Sequence, residues 1–335
     1  MKGVLAALAA AAVAAAASAA PACAEPSELR IAKGFGMIYL PMVVAEEQKL
    51  IEKHLESAGL DNVKVTWSSF SGGTAMNDAL ISGNVDIANG GTVPMIVFWG
   101  KTRRSLDVRA IAPISATPQY LNTRNPNVKT VRDFTADDRI AVPAIRTSSQ
   151  ALTLQMAAEQ AFGPGEFRRL DSLTVAMSPP DSHAAMMVGR TEITAVFTTP
   201  PFMYEELRDP RIHKVLSSFD VLGGPATGVV AYTTGTFRDK NPKTYRAFFD
   251  ALGEAIRLVN SDHRLVAELY VRNQQTKETV DSVVDILGQP ESVFTLTPQN
   301  TVKYAEFMHR AGVISEMPGS WKDLFFPEVH ALPGS

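Results

Sequence analysis

The sequence predicts an α/β protein built as two similar lobes, and two observations carry that prediction. Short β-like runs alternate with single helical patterns along most of the chain, as strand–helix–strand units with a largely parallel sheet require. Within that alternation the chain also matches itself. Ala79, Gly83, Asp86, Ile87 and Pro94 correspond to Ala185, Gly189, Glu192, Ile193 and Pro200 at one constant offset of 106 residues. Both segments read as a helix, a glycine exit, an acid-containing turn, an Ile-centred strand and a Pro-led helix. Glycine ends helices because it accepts the left-handed conformation there. Proline is preorganised for the first turn of the next helix.

The elements follow in order. Residues 1–24 read as a secretory leader: Met1-Lys2 gives a positive start, 4–20 is nearly unbroken Ala, Leu and Val, and Ala22 and Ala24 supply small residues before cleavage. Acylation of Cys23 is the alternative, but Ala20 sits where such leaders prefer Leu, so cleavage after Ala24 is expected. A strand at 29–33 then leads through a Gly-rich loop to a helix over 42–54. A strand at 63–68, a helix over 73–81, a strand at 85–88, a helix over 92–100 and a strand at 108–115 complete the first set. The second set has strands at 139–142, 173–177 and 193–197, with helices over 149–162 and 181–188. The β-branched run 228–233 suggests a strand returning to the first unit. Beyond Pro242 the pattern is helical, over 243–260, 263–273, 279–287 and 298–311.

Composition bounds the function. The 335 residues are 45% hydrophobic, 20% charged and 8% aromatic, which excludes disordered, collagenous and coiled-coil classes. A net charge of −3 and a pI near 6.1 offer no basic field for nucleic acid or an anionic membrane. The leader takes Lys2 and the single Cys with it, leaving 31 basic against 35 acidic residues, a net charge of −4. The exported chain therefore has no disulfide or thiolate chemistry. No later apolar run approaches the ~20 residues of a membrane-spanning helix. A soluble, exported protein is expected, periplasmic in a cell with two membranes.

Motifs for catalysis are missing. Gly34 and Gly36 follow a strand, but Tyr39 stands where a dinucleotide fingerprint needs its third Gly. There is no phosphate loop and no nucleophile elbow. The six His residues show no metal-ligand spacing, and His183, on a helix near the repeat, reads as structural. The adjacent acids Glu46-Glu47, Asp137-Asp138 and Glu205-Glu206 read as solvated surface charges, since neighbours on a helix do not face each other. No catalytic residue, metal ligand or cofactor is predicted.

Donor-rich turns recur instead at helix starts: Ser71-Gly72-Gly73-Thr74, Asn89-Gly90-Gly91-Thr92 and Thr147-Ser148-Ser149. Each offers free backbone N–H groups and a hydroxyl at the positive end of a helix dipole, where anions bind well. All three follow a predicted strand end, the place where open α/β sheets put ligands. Gly73, Thr74, Thr92, Thr147 and Ser148 are therefore candidate ligand contacts, with Arg146 as a helping cation and Thr198 beyond the strand at 193–197. Phe35 and Tyr39, in the loop after the first strand, are candidates to cover an organic ligand. Trp67, Phe70 and Tyr120 are other aromatic surfaces, the first two read as core or rim. The apolar Met37, Ile38 and Leu40 hint at an organic ligand rather than bare nitrate.

These pieces together resemble the solute-binding proteins of nitrate/sulfonate/taurine-type ABC importers, a group that includes thiamine-pyrimidine binders. The stretch 40–54 reads LPMVVAEEQKLIEKH, Ser71-Gly72-Gly73-Thr74 follows, 79–88 reads ALISGNVDIA, and Gly91 precedes Pro94. Val131-Arg132-Asp133-Phe134, Ile140-Ala141-Val142-Pro143, the acid-led helix at Asp181, Pro200-Pro201 and Asn241-Pro242-Lys243 continue the likeness. After Phe134 the family's Lys-Gly-Lys turn is replaced by Thr135-Ala136-Asp137-Asp138-Arg139. The resemblance implies a type II periplasmic binding-protein fold: two lobes, each a mixed sheet flanked by helices, joined by two crossover strands as a hinge. The crossings fall near 114–118 and 226–232, with lobe one at 25–115 and 229–335 and lobe two at 118–226. Gln119, just past the first crossing, joins the candidate contacts. It also implies a monomer without cofactor that captures a small anion, a sulfonate, taurine-like or aromatic or carboxylic acid. Its partners are then an inner-membrane permease and a cytoplasmic ATPase. The alternative is a thiamine-pyrimidine precursor binder, or a related synthase whose Cys-rich segment a Cys-free chain does not supply.

Overall fold

The computed structural model describes residues 25–274 and 276–335; the leader, its cleavage site and Cys23 lie outside the described residues. The chain runs β1 (Glu28–Lys33), a 3-10 turn at Met37–Tyr39, α1 (Leu40–Glu47), α2 (Leu50–Ser57), β2 (Lys64–Ser69) and α3 (Gly73–Ile81). Next come β3 (Ile87–Gly91), α4 (Thr92–Thr102), β4 (Arg109–Ser115), β5 (Tyr120–Thr123), β6 (Ile140–Val142) and α5 (Ser149–Phe162). They are followed by β7 (Thr174–Ala176), α6 (Pro179–Val188), β8 (Ala195–Thr198), α7 (Phe202–Leu207), β9 (His213–Ser217), α8 (Ser218–Leu222) and β10 (Val229–Thr233). The chain continues through α9 (Gly235–Lys240), α10 (Pro242–Ser261), α11 (His263–Gln274), α12 (Val280–Leu287) and α13 (Thr301–Arg310).

The strands form two five-stranded sheets, ordered β2-β1-β3-β10-β4 and β7-β6-β8-β5-β9. Position by position the two orders follow one plan. Three parallel strands lead each sheet, with Ile31 beside Ile87 in the first and Ile140 beside Ala195 in the second. The fourth strand, β10 or β5, is antiparallel to both neighbours. Each fourth strand arrives from the other sheet: the chain leaves edge strand β4, crosses, and enters as β5, then leaves edge strand β9, crosses back, and enters as β10. Both sheets are therefore mixed, where strand–helix alternation alone suggested largely parallel ones.

The core follows this division only in part, because the first cluster also takes in Leu152 of α5 and Leu222 of α8 from the second half. One cluster joins the first sheet, α1, α2 and α4 to the C-terminal helices, including Ile31, Val44, Ile87, Phe248 and Tyr304. Leu121, Ile140, Leu154 and Phe197 centre a second cluster, and Ala141, Met186 and Val196 a third, on the two faces of the second sheet. Along α10 the buried residues Tyr245, Phe248, Leu252, Ile256 and Val259 recur every three or four positions, a stripe that seals against α1 and α2. Glu25 accepts hydrogen bonds from the N–H groups of Lys243 (2.9 Å) and Thr244 (3.1 Å), a carboxylate at the positive end of α10.

Several expectations need correction. The single helix over 42–54 is two helices, broken where Lys49 takes a left-handed φ of 51°. β5 and β9 had no counterpart in the sequence pattern; both are short, and β9 carries two polar residues at its start. The acid pairs are not simply solvated. Asp138 is buried and accepts from Asn125 (2.9 Å) and Thr194 (2.9 Å). Glu46 pairs with the buried Lys33, and Asn273 on α11 donates to Glu46 (3.2 Å) and Glu47 (2.9 Å), tying α11 to the end of β1.

Gly83 and Gly189 end α3 and α6 in matching conformations, φ 71° and φ 70°. The offset then slips, since β3 begins at Ile87 but β8 at Ala195, two residues past Ile193. An alanine at either glycine must hold a left-handed backbone, so Gly83→Ala and Gly189→Ala should each lower stability by about 1–2 kcal/mol. A Cβ at 83 meets open space, whereas one at 189 meets the Arg124 guanidinium, so the second should be at least as harmful. Urea midpoints at unchanged slope measure this; two silent substitutions would contradict it.

Candidate functional site

A compact cavity of about 50 Å³ lies between the two sheets, walled by the ends of several elements. The loop after β1 contributes Phe35, Ile38 and Tyr39. The starts of α3, α4, α5 and α6 contribute Gly73, Gly91, Ser149 and Pro179 among others, and the two crossings contribute Gln119, Gly228 and Val229. No Asp, Glu, Lys, Arg or His side chain is among its lining residues. Gly72 and Gly91, the residues capping α3 and α4, offer no side-chain cap. Positive helix ends facing an interior without carboxylates favour a negative group.

Gln119 is the most informative wall residue. Its backbone is fixed at both ends, donating to Ser218 Oγ (3.0 Å) and accepting from Ser218 N–H (2.9 Å). Its side chain is buried, yet among the described residues the amide oxygen has no hydrogen-bond partner. Buried amides are normally satisfied, and a carboxamide can turn either its oxygen or its NH₂ toward a guest. Tyr39 is also buried, which pushes its hydroxyl well above the ordinary range and keeps it a neutral donor.

Of the ten candidate contacts, Phe35, Tyr39, Gly73, Gln119 and Ser148 line this cavity. The Ser148 hydroxyl is engaged with its own turn, donating to the Ala144 carbonyl (2.8 Å) and accepting from Ala151 N–H (3.2 Å). The structure does not bring the other five to the cavity wall. The Thr92 hydroxyl is fully buried and donates to the Thr227 carbonyl at 2.6 Å, binding α4 to the second crossing. Thr74 and Thr147 meet each other at 3.3 Å, outside the lining. Arg146 sits at φ 63° and turns its guanidinium onto Asp171 (3.0 Å). Thr198 is buried with a hydroxyl that has no partner among the described residues, while its neighbour Thr199 reaches the cavity. Trp67 and Phe70 pack against the first core, and Tyr120 packs edge-on against Tyr204. Ser149, Gly228 and Thr199 line the wall without having been candidates, although Ser149 lay within a quoted turn.

Polar contacts close the rim between the two halves. Met37 N–H donates to the Pro200 carbonyl (2.9 Å), Arg208 pairs with Glu278 (2.8 Å), and Glu291 accepts from Tyr204 (2.9 Å) and Tyr120. Beside this rim stands His183, with Nε2 2.9 Å from Glu205 and Nδ1 3.4 Å from Glu206. The adjacent acids flank one imidazole rather than facing solvent. Glu206 is fully buried and also accepts from Asn122 (2.9 Å); burial raises its pKa, against the pull of His183 and Asn122.

Over residues 22–270 the chain matches the NMT1-like family. It belongs to that family. A curated relative, described as an aliphatic sulfonates-binding protein of Escherichia coli K12, is 25% identical over 174 residues, 52% of this chain. The chain spans about half the length of that relative, 50%. Among solved structures, the alkanesulfonate-binding protein SsuA from Xanthomonas axonopodis pv. citri superposes with a TM-score of 0.69 at 18% identity, covering 88% of this chain and 96% of that one. The periplasmic aliphatic sulphonate binding protein SsuA of Escherichia coli gives 0.67 at 18% identity, covering 90% and 93%. The periplasmic nitrate-binding protein NrtA from Synechocystis PCC 6803 gives 0.68 at 15%, covering 89% and 84%. The fold of this NMT1-like protein is thus the two-lobed type II binding-protein fold, and these neighbours are solute-binding proteins, not enzymes. Among the described residues no helix is long and apolar enough to cross a membrane.

The His183 clamp gives this NMT1-like protein a definite pH response. Burial works against the imidazolium, but hydrogen bonds to Glu205 and Glu206 outweigh it and raise the pKa from 6.5 to about 9. A folded-state pKa above the unfolded one stabilises fully below pH 6.5, and that stabilisation disappears as pH rises through about 9. The thermal midpoint should therefore fall between pH 6.5 and 9 by more in the parent than in His183→Gln. Equal slopes in the two proteins would show that the clamp does not hold a proton.

Proposed function

We propose that this NMT1-like protein is the exported solute-binding component of an ABC importer. It captures a small organic anion between its lobes and delivers it to an inner-membrane permease driven by a cytoplasmic ATPase. The observation that carries this reading is the cavity itself: the uncapped start of α3, the glycine-led start of α4 and the carboxamide of Gln119, whose NH₂ can donate, meet there with no carboxylate to repel an anion. The names of the relatives, sulfonate- and nitrate-binding proteins, support the same class of solute. Phe35, Ile38 and Tyr39 give the site an apolar wall, which favours an organic anion over nitrate.

In this reading residues 25–115 with 229–335 form one lobe and 118–226 the other, working as a monomer in the periplasm after removal of a leader ending at Ala24. Gly73 and Gln119 contact the anionic group while Phe35 and Tyr39 cover it; Ser148 stands on the wall with both its N–H and its hydroxyl given to the Ala144 carbonyl, and no cofactor takes part. Thr74 and Thr147 serve closure rather than the ligand, because their hydroxyls meet across the rim. Binding energy favours the closed state, and the permease distinguishes closed from open.

Calorimetric titration with nitrate, acetate, methanesulfonate, taurine and benzoate tests the class. A hydrogen bond to a charged group contributes about 1.5–3 kcal/mol, so Gln119→Leu should weaken binding about 10- to 150-fold. Its stability should hold or rise, since the change removes a buried amide oxygen without a partner. Unchanged affinity would take Gln119 out of the site. A solute set that is exclusively cationic would overturn the anion reading.

A further inference from the structure

A second, larger cavity of about 570 Å³ adjoins the first, and Phe35 lines both. The adjacent residues Pro179 and Pro180 repeat the link, one on the wall of the small cavity and the other on the wall of the large one. The larger space is enclosed by α6 and α7 on one side and by α11 on the other, so it too lies between the halves of the molecule. Ala184, Met187, Phe202 and Tyr270 make most of its surface apolar. Its buried polar groups are already matched: His183 is held by Glu205 and Glu206, and none of its polar side-chain atoms is buried without a partner. The rest of its polar lining is Gln274, which donates to Asn273 (2.7 Å), Thr276, which accepts from Glu278 N–H (3.2 Å), and the exposed Lys277, so the charge that remains open stands toward solvent.

Size separates the two spaces. About 570 Å³ falls within the range of small-molecule sites, roughly 300–1,000 Å³, whereas about 50 Å³ admits only a compact group. An organic anion seated by its charged group must place its carbon elsewhere. Phe35 also borders a cavity of about 310 Å³, but there five of the seven lining residues are polar, Lys33, Glu46, Ser69, Asn273 and Gln274 beside Phe35 and Trp67, a poorer setting for hydrocarbon than the mostly apolar larger chamber.

We propose that the larger chamber receives the apolar body of the solute while its anionic head occupies the small cavity, and that Phe35 is the specificity-determining side chain between them. The solute class is a sulfonate or carboxylate carrying an aryl or medium-chain alkyl body. This inference rests on the cleft reading of the preceding section.

The test is calorimetric titration of the full exported chain with two graded series, methane- to octanesulfonate and acetate to octanoate. Affinity should tighten roughly three- to fourfold per added methylene until the chamber is full. Ala184 is exposed on α6 while lining the chamber, so Ala184→Trp can narrow it without disturbing the core. That variant should abolish the chain-length gain and leave methanesulfonate binding unchanged; Met187→Trp repeats the test from a neighbouring wall position. If short anions bind but length brings no gain, the chamber assignment falls and the cleft reading stands. A gain that persists in both Trp variants likewise places the body outside the chamber. If no member of either series binds, the cleft reading fails and takes the chamber with it.

Discussion

The pairing of two chain crossings holds the rest of this structure in place. A segment that runs between sheets cannot use a ladder, yet its buried N–H and C=O groups still need partners. Here the crossings satisfy each other and a third strand of chain. Gly228 N–H donates to the Ser115 carbonyl (2.9 Å), Ala116 N–H to the Val293 carbonyl (2.8 Å), and Thr227 N–H to the Gln299 carbonyl (2.8 Å). Thr92 adds two more bonds, from its N–H to Gly228 (3.1 Å) and from its hydroxyl to Thr227. This bundle fixes Gln119, Gly228 and Val229 as one wall of the small cavity. The strands into which the crossings lead, β5 and β10, each run antiparallel to both neighbours.

Because the crossings are central, every helix start facing them points at a common space. The helices α3, α4 and α5 converge there without any charged side chain on the wall, so the local field comes from backbone dipoles. Such donors are set by the fold and need no reorganisation when a solute arrives. The ionisable groups stand further out: His183 with its two glutamates, Lys33 with Glu46 and Arg208 with Glu278 are all paired away from the small cavity. Charge therefore secures the frame, while neutral groups line the small cavity.

Much of this was legible in the sequence. The 106-residue self-match reflects two sheets with one strand order, and the Gly-rich and Ser-rich turns mark helices whose ends line the cavity. What escaped was what local pattern does not encode. β5 and β9 are short strands stabilised by long-range partners, so no run of alternating residues announces them. A hydroxyl at a helix start looks the same whether it faces a ligand or a carbonyl, and Thr92 faces the latter because a distant segment passes beside it. Arg146 looked available until the position of Asp171 was known. Glu205 and Glu206 looked solvated until an imidazole was found between them.

The rim has a thermodynamic consequence of its own. Its contacts are chiefly polar, from Met37 with Pro200 and Thr74 with Thr147 to Arg208 with Glu278 and the two tyrosines on Glu291. Water can replace such contacts when the halves part, so the apolar area that separation exposes comes from elsewhere, from Phe167 against Phe307 and from Leu152 and Leu222 in the first core. Heat capacity changes with apolar exposure far more than with the exchange of hydrogen bonds for water. Closing the rim should be almost silent in heat capacity, and any large negative change on solute binding would report what the interior buries.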